Sequence, residues 1–168
     1  MEPTIREITE DEITGSFFAL VAEVECGDRF EFANEKHREW LLRRIGQRVS
    51  QGARFFGCYA QDGKPVGFYV LVIEDGPEGV PYLGQKAEIT DIAVFPEFRS
   101  RGYGTRLLRH AERIAKKSGV YCLYVGTYAG AARAISFYVR NGLVPVATMP
   151  DVHGPHAEGN VYLRKLLR

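Results

Sequence analysis

The sequence of 168 residues has few cysteines, and their spacing argues against a metal site. Cys26, Cys58 and Cys122 are odd in number and far apart, and no Cys-x-x-Cys pair occurs. A zinc site or a disulfide framework needs closely spaced or paired cysteines. The sequence therefore predicts reduced thiols in a cytoplasmic protein that holds no metal.

Excess charge and long apolar runs are also missing. The formal net charge is +1, so there is no global attraction to nucleic acid or to an anionic membrane. No apolar run approaches the ~20 residues that span a bilayer, and the charged first residues lack the apolar core of a signal peptide. The length fits one domain, residues 1–168, that binds neither nucleic acid nor membrane.

Two common phosphate-binding fingerprints, Gly-x-Gly-x-x-Gly and Gly-x-x-x-x-Gly-Lys-Ser/Thr, are absent. Residues 99–104 instead read Arg-Ser-Arg-Gly-Tyr-Gly, between a β-like run at 88–95 and an amphipathic helix that begins near Thr105. Glycine allows close approach of the backbone, and the first turn of a helix offers N–H groups and a favourable dipole to an anion. Arg99 and Arg101 add positive charge. This arrangement predicts a ligand that contains a pyrophosphate.

Hydrophobic periodicity and turn residues predict the remaining elements. Strands are predicted at residues 4–8, 53–60, 65–73, 85–95, 120–125, 143–148 and 160–167, and helices at 13–24, 35–49, 105–118 and 131–141. The order β-α-α-β-β-β-α-β-α-β-β predicts an α/β (α+β) fold with a central, mostly antiparallel mixed sheet flanked by helices.

Two of these helices have a predicted inner face. The helix at 105–118 carries its apolar residues in one stripe: Leu107, Leu108, Ala111, Ile114 and Ala115. The helix at 35–49 is expected to bury one face and to leave its arginines in solvent. The inner face is Trp40, Leu41, Ile45 and Val49, and the arginines are Arg38, Arg43, Arg44 and Arg48.

The loop and its surroundings resemble the acyl-CoA loop of the GNAT superfamily of N-acyltransferases. The matching run is 87–108, in which Arg-x-x-Gly-x-Gly follows a strand that ends in Val94-Phe95-Pro96. Residues 134–143, Ala-Ile-Ser-Phe-Tyr-Val-Arg-Asn-Gly-Leu, resemble the second GNAT signature, Ala-Ile-x-Phe-Tyr-x-x-x-Gly-Phe. The predicted element order is also the order expected of a GNAT fold.

This resemblance implies an N-acetyltransferase in which a primary amine attacks the thioester of acetyl-CoA directly. It assigns the diphosphate to the loop and the pantetheine arm to the backbone of the preceding strand. The implied cofactor-binding residues are Ile92, Ala93, Val94, Arg99, Ser100, Arg101, Gly102, Tyr103, Gly104 and Thr105. In such folds the neighbouring strand splays away, and Gly126 is the predicted point of opening.

The resemblance also implies catalytic roles. Glu88 is the leading general base, because its distance from the loop matches that of the glutamate in histone-acetylating members. Asp91, or a water chain that ends at either carboxylate, remains an alternative base. Tyr138 is the candidate general acid for the leaving thiolate, since a phenol can donate a proton.

One position departs from the family pattern. The family places Asn three residues before the Ala of the second signature, where this chain has Ala131. The pantetheine contact of that Asn is then lost or moved to Thr127, Tyr128 or Arg133.

The acceptor pocket is expected to involve residues 24–34, 74–84 and 149–159, where acidic and aromatic side chains suit a cationic amine or merely form solvated loops. The Gly154-Pro155 break prevents His153 and His156 from lying on one face of a helix, as the histidines of many zinc sites do, so a metal site is not expected. In GNAT-like folds this loop borders the acceptor pocket, where either histidine could bind or deprotonate the acceptor. A small-molecule amine, a peptide N-terminus and a lysine side chain all remain open as acceptors.

Two other functions remain as alternatives. One is a catalytically inactive module of the same fold that binds acyl-CoA as a sensor. The other is a nucleotide-binding α/β domain, which predicts an acidic residue after the strand at 120–125, where Gly126-Thr127 stands instead. Since many GNAT-like folds pair, a homodimer is also left open.

Overall fold

The computed structural model describes residues 3–74, 85–152 and 154–167. The strands are β1 (Thr4–Glu7), β2 (Arg54–Tyr59), β3 (Pro65–Glu74), β4 (Lys86–Val94), β5 (Cys122–Tyr128), β6 (Val144–Met149) and β7 (Asn160–Leu166). The helices are α1 (Glu10–Thr14), α2 (Phe18–Cys26), α3 (Glu35–Ser50), α4 (Tyr103–Lys117) and α5 (Ala132–Arg140). Short 3-10 turns follow α2 and β4, at Gly27–Arg29 and Pro96–Phe98.

In the described part of the chain, the strands form one sheet in the order β1-β2-β3-β4-β5-β7-β6. The pairs β1/β2, β2/β3, β5/β7 and β6/β7 are antiparallel, whereas β4 and β5 are parallel. The predicted α/β class with a mixed, mostly antiparallel sheet is confirmed. A turn at Gly63, with φ of 80°, joins β2 to β3, as the Asp62-Gly63 pair predicts.

The chain divides into two compact units. The first contains Met1–Val72 and Asp91–Ala111, and the second contains Ile73–Thr90 and Glu112–Arg168. The first has a core of buried aromatic and aliphatic side chains in which the Phe17 ring makes an edge contact with Tyr59 at 5.5 Å. The second buries alternate residues of β4 and β5, among them Ala87, Ile89, Leu123 and Val125.

The prediction of a single helix over residues 13–24 is wrong. The structure has two helices, because α1 ends at Thr14 and α2 begins at Phe18. Thr9 and Glu12 form a capping box at the start of α1, and the Gly15 N–H closes its end on the Asp11 carbonyl at 2.9 Å. Gly15 adopts φ −99° and ψ −99°, outside the helical region, and glycine tolerates such a conformation at low cost.

The predicted faces of the two long helices have different outcomes. In α4 four of the five stripe residues are fully buried, namely Leu107, Leu108, Ala111 and Ala115, whereas Ile114 is only partly buried. In α3 only part of the prediction holds: Leu41 and Ile45 are buried, whereas Trp40 is 47% exposed and Val49 is 37% exposed. A third departure in α3, at Arg48, concerns the candidate site and is described below.

No helix in the described residues is long and apolar enough to cross a membrane.

Candidate active site

The predicted phosphate loop lies in the first unit, between the end of β4 and the start of α4. Ser100 and Gly102 have φ values of 61° and 83°, in the left-handed region. The Arg106 N–H donates to the Gly102 carbonyl at 3.1 Å, which makes Gly102 the residue that caps α4. The N–H groups of Tyr103, Gly104 and Thr105 therefore form the first turn, in which no N–H has a carbonyl partner within the helix. This geometry fits a bound diphosphate.

Space beside Gly102 is open as well. Apart from Gly102, its two chain neighbours and the backbone of the adjoining helical turn, no described heavy atom lies within 4 Å of where a Cβ on Gly102 would be. Residues distant in the sequence therefore do not block the approach of an anion to the backbone at this point.

Arg99 and Arg101 are oriented by contacts within the same unit. The Arg99 Nε donates to the Val94 carbonyl at 2.9 Å, and its Nη2 lies 2.6 Å from a Glu23 carboxylate oxygen. The Arg101 guanidinium lies over the Phe98 ring, 5.9 Å from its centroid. Arg99 thus ties the loop to the strand that precedes it, a role that sequence reasoning missed, and Glu23 offsets part of its charge.

The strand before the loop fits closely against β3. A Cβ on Gly67 would lie 2.4 Å from the Ala93 carbonyl oxygen, so this position accommodates only glycine.

The parallel ladder between β4 and β5 runs from Lys86↔Cys122 to Ile89↔Val125, while β4 continues to Val94 and β5 to Tyr128. The ladder thus ends one residue before Gly126, the predicted point of opening.

Glu88 lies in the second unit, at a cavity of about 320 Å³. It pairs in register with Tyr124 of β5. The cavity is lined by Glu74, Lys86, Glu88, Tyr124, Val146, Ala147, Met149 and Tyr162. Sequence reasoning missed Lys86, although side chains two apart on a strand share a face, so the alternation of β4 places Lys86 beside Glu88.

Lys86 is held by a carboxylate of the same cavity. Its Nζ lies 2.8 Å from a Glu74 oxygen and 5.8 Å from the centroid of the Tyr124 ring. The Glu74 hydrogen bond raises the pKa of Lys86 above its usual value, and the negative charge of Glu88 adds to this effect. The ammonium therefore stays charged throughout the physiological range.

Asp91, the alternative base, is part of a buried ion cluster in the first unit. Its carboxylate and that of Glu25 both pair with the Arg48 guanidinium. Arg48 is 8% exposed, so the prediction that it sits in solvent is wrong. Burial alone would lower the pKa of Arg48, but the two carboxylates outweigh it and raise the pKa. The fork of the guanidinium suits two acids that come from different elements, and helical periodicity carries no signal of such partners.

We expect Arg48→Met to lower the free energy of unfolding by about 3 kcal/mol, because it leaves two poorly solvated carboxylates without their shared partner. Arg44→Met is the matched control. Arg44 lies one turn away, is more exposed, and pairs with the same Glu25 at 3.5 Å. Its loss is expected to cost less than about 1 kcal/mol. Urea unfolding of both variants tests this, and equal losses would contradict it.

Tyr138, the candidate general acid, is buried on α5 in the second unit and packs edge-on against Phe137 at 5.2 Å between ring centroids. The N-terminus of this helix is at Ala131, which provides no side-chain cap. The backbone at Gly130 is approached closely by a Glu158 carboxylate oxygen. Thr127 and Tyr128, candidates for the missing Asn contact, are the last two residues of β5.

Some predicted acceptor residues fall outside the described part of the chain, namely His153 and residues 75–84. His156 is described; it is exposed and has a φ of 61°. Among the described residues no group of three or more His, Cys, Asp or Glu side chains is placed to hold a metal ion.

Comparison with known proteins identifies the family. The model of the Acetyltransferase (GNAT) family matches residues 18–143, which is most of the chain. The chain belongs to the GNAT acetyltransferase family. The resemblance drawn from the loop and the second signature is thereby confirmed.

Two curated relatives and one solved structure are also similar to the chain. The chain is 34% identical over 148 residues to an uncharacterized N-acetyltransferase of Methanocaldococcus jannaschii, a match that covers 83% of the chain but only 59% of the relative. It is 27% identical over 142 residues to a spermidine N(1)-acetyltransferase of Thermoplasma acidophilum, covering 83% of the chain and 80% of the relative.

The structure is that of a putative acetyltransferase from Salmonella typhimurium with its cofactor acetyl-CoA. It superposes with a TM-score of 0.71 at 18% identity, over 100% of this chain and 95% of that one. At this identity the match shows a shared fold. Membership of this acetyltransferase family agrees with the predicted co-substrate, acetyl-CoA.

Proposed function

We propose that the protein is an N-acetyltransferase that moves the acetyl group of acetyl-CoA to a primary amine. The observation that carries this proposal is the loop at the start of α4, where Ser100 and Gly102 are left-handed and the first turn of the helix follows. The N–H groups of such a first turn have no partner within the helix. Phosphate binding at such a helix start is strong because hydrogen bonding and the helix dipole act together.

The loop is proposed to hold the diphosphate with its backbone N–H groups, from Gly102 to Thr105. Arg101 supplies positive charge, and Arg99 fixes the loop through the Val94 carbonyl. The backbones of Ile92 and Ala93 are proposed to pair with the pantetheine arm. Bound acetyl-CoA supplies an activated thioester carbonyl.

Glu88 is proposed as the general base. An alkyl ammonium has a pKa near ~10.4 and no lone pair, so it must lose a proton before it attacks the carbonyl carbon. Glu88 accepts that proton, either directly or through water. Asp91 is the weaker candidate, because protonating its carboxylate would break the buried pair with Arg48.

Tyr138 is proposed to complete the reaction as general acid. The new bond forms between the amine nitrogen and the carbonyl carbon, and the carbon–sulfur bond breaks with its electron pair on sulfur. A proton from the Tyr138 hydroxyl neutralises that thiolate. The products are an N-acetylated amine and free coenzyme A.

The proposal is tested by incubating the protein with acetyl-CoA and a panel of amines, while the release of free thiol is followed. Thermal unfolding with acetyl-CoA, NAD or ATP is the companion measurement, because only a ligand of the folded state raises its stability. At 100 times its Kd, acetyl-CoA is expected to raise Tm by about 5–10 °C, whereas NAD and ATP leave it unchanged. Stabilisation by acetyl-CoA without turnover of any amine would favour the non-catalytic acyl-CoA-binding module.

A further inference from the structure

The last turn of α5 carries Tyr138 and ends in a closely bonded motif. The Gly142 N–H donates to the Val139 carbonyl at 3.0 Å, and the Leu143 N–H donates to the Tyr138 carbonyl at 3.1 Å. Gly142 has a φ of 87°, in the left-handed region that this Schellman motif requires. Leu143 is buried, which anchors the chain directly after the motif. The backbone of Tyr138 is therefore part of the structure that ends the helix.

Lys165 of β7 binds the same helix end from outside. Its Nζ donates to the Asn141 carbonyl at 3.0 Å and to a Glu112 carboxylate oxygen of α4 at 2.7 Å. Its Cε lies 3.6 Å from where a Cβ on Gly142 would be, so the stem of the side chain packs over the end of the helix. A cation is favourable here, because the last carbonyls of a helix have no partner within it and the helix dipole is negative at this end. One ammonium thus joins α5 to α4 and β7.

The Lys165–Glu112 pair lies largely out of solvent. The two side chains are 30% and 18% exposed. Removal of the ammonium would leave a poorly solvated carboxylate without this partner and would release the helix end. The helix α5 has only nine residues, a length at which a helix is marginal without packing and capping contacts. The position of its last turn therefore depends on contacts such as those of Lys165.

We propose that Lys165 is a positioning residue for acetyl transfer, which holds the last turn of α5 so that the Tyr138 hydroxyl meets the leaving sulfur. This inference rests on the proposed function, in which Tyr138 is the general acid. A proton donor must lie within hydrogen-bond reach of its acceptor, roughly 2.6–3.2 Å. A displacement of about 1 Å, caused far from the reacting atoms, can cost about 10²-fold in rate. Lys165 acts through Tyr138 and contacts neither the acetyl group nor the amine.

The test is a double-mutant cycle of Lys165→Met and Tyr138→Phe, with acetyl-CoA and the amine of the panel that is acetylated fastest. Methionine keeps most of the apolar stem of lysine but cannot donate a hydrogen bond. Tyr138→Phe is expected to lower kcat about 10²-fold. Lys165→Met is expected to lower kcat about tenfold, while the Kd for acetyl-CoA changes less than twofold.

The second arm of the cycle identifies the route of the effect. In the Tyr138→Phe background, Lys165→Met should change kcat less than twofold, because no hydroxyl remains to be positioned. A merely structural role would lower kcat by the same factor in both backgrounds. Lys117→Met, which removes an exposed lysine of α4, is the matched control and should keep the wild-type kcat.

Urea unfolding separates positioning from a loss of fold. Lys165→Met should lower the unfolding midpoint equally in both backgrounds, since the same contacts are lost in each. Glu112→Gln leaves Lys165 in place with a weaker partner, so it should lower kcat about threefold by the same route. This milder variant carries the test if Lys165→Met does not fold, which circular dichroism checks.

Two results would overturn the inference while the general acid stays in place. One is an equal loss of kcat in both backgrounds, and the other is an unchanged kcat in Lys165→Met and Glu112→Gln. A wild-type kcat in Tyr138→Phe would instead remove the general acid from the proposed function, and the inference with it. The single variant Tyr138→Phe therefore distinguishes the two kinds of failure.

Discussion

Replacing Glu88 with glutamine is expected to lower kcat for acetyl transfer about 10³-fold, within the range of roughly 10²–10⁴ that general bases contribute. Glutamine keeps the size and a hydrogen-bonding oxygen of the side chain but cannot take up the proton of the ammonium. The affinity for acetyl-CoA should change less than twofold, because the cofactor is assigned to the loop and to backbone groups. Steady-state kinetics and calorimetry measure the two effects.

The pH–rate profile makes this prediction specific. In the wild type, kcat/KM should fall on the acidic side as the base becomes protonated, and Glu88→Gln should lose that limb. Glu39→Gln, which removes a carboxylate from the exposed face of α3, should behave like the wild type. An unchanged profile in Glu88→Gln removes Glu88 as the base, and loss of the limb in Asp91→Asn instead would assign the role to Asp91.

Replacing Gly102 with valine is expected to raise the Kd for acetyl-CoA about 10³-fold. Two charge-assisted hydrogen bonds from the first turn, each worth about 2 kcal/mol, would be lost when a branched side chain occupies the open space beside Gly102. The position also has a φ of 83°, which a β-branched residue strongly disfavours, so part of the effect is backbone strain.

Gly119→Val separates strain from blocked binding. Gly119 follows the C-terminus of the same helix, has a φ of 77°, and likewise has open space where a Cβ would be. Both variants should lose similar stability in urea unfolding, but only Gly102→Val should lose acetyl-CoA binding. Comparable cofactor affinity in the two variants would remove the loop as the diphosphate site.

Local sequence signals predicted much of the fold. The apolar stripe of α4 repeats with the period of a helix, and Asp62-Gly63 marks the turn between β2 and β3. The glycine loop is recognisable because strand, Arg-x-x-Gly-x-Gly and helix are consecutive in the chain. Each of these signals is contained in a short window of sequence and does not depend on distant neighbours.

The misjudged positions depend on partners far away in the sequence. Arg48 resembles the solvent-exposed arginines of α3, and only its pairing with Glu25 and Asp91 shows that it is buried. Trp40 resembles a core residue but lies beside a surface cavity near Phe30 and His37. Periodicity does not tell which of two similar faces meets the core.

Several predictions stay open to experiment. The organisation of residues 1–168 as one domain, the cytoplasmic location and a homodimer stay predictions. The roles of Glu88 and Tyr138 are proposals that the variants above address.

By itself, the sequence determined the family, the order of the strands and the position of the glycine loop, because these follow from residues that are neighbours along the chain. Only the tertiary structure decided the set of charges around Asp91 and the composition of the cavity at Glu88. Arg48 reaches Asp91 from another element, and the Lys86–Glu74 pair joins two strands at the wall of the cavity. Long-range contacts of this kind depend on how strands and helices pack, which no local pattern specifies.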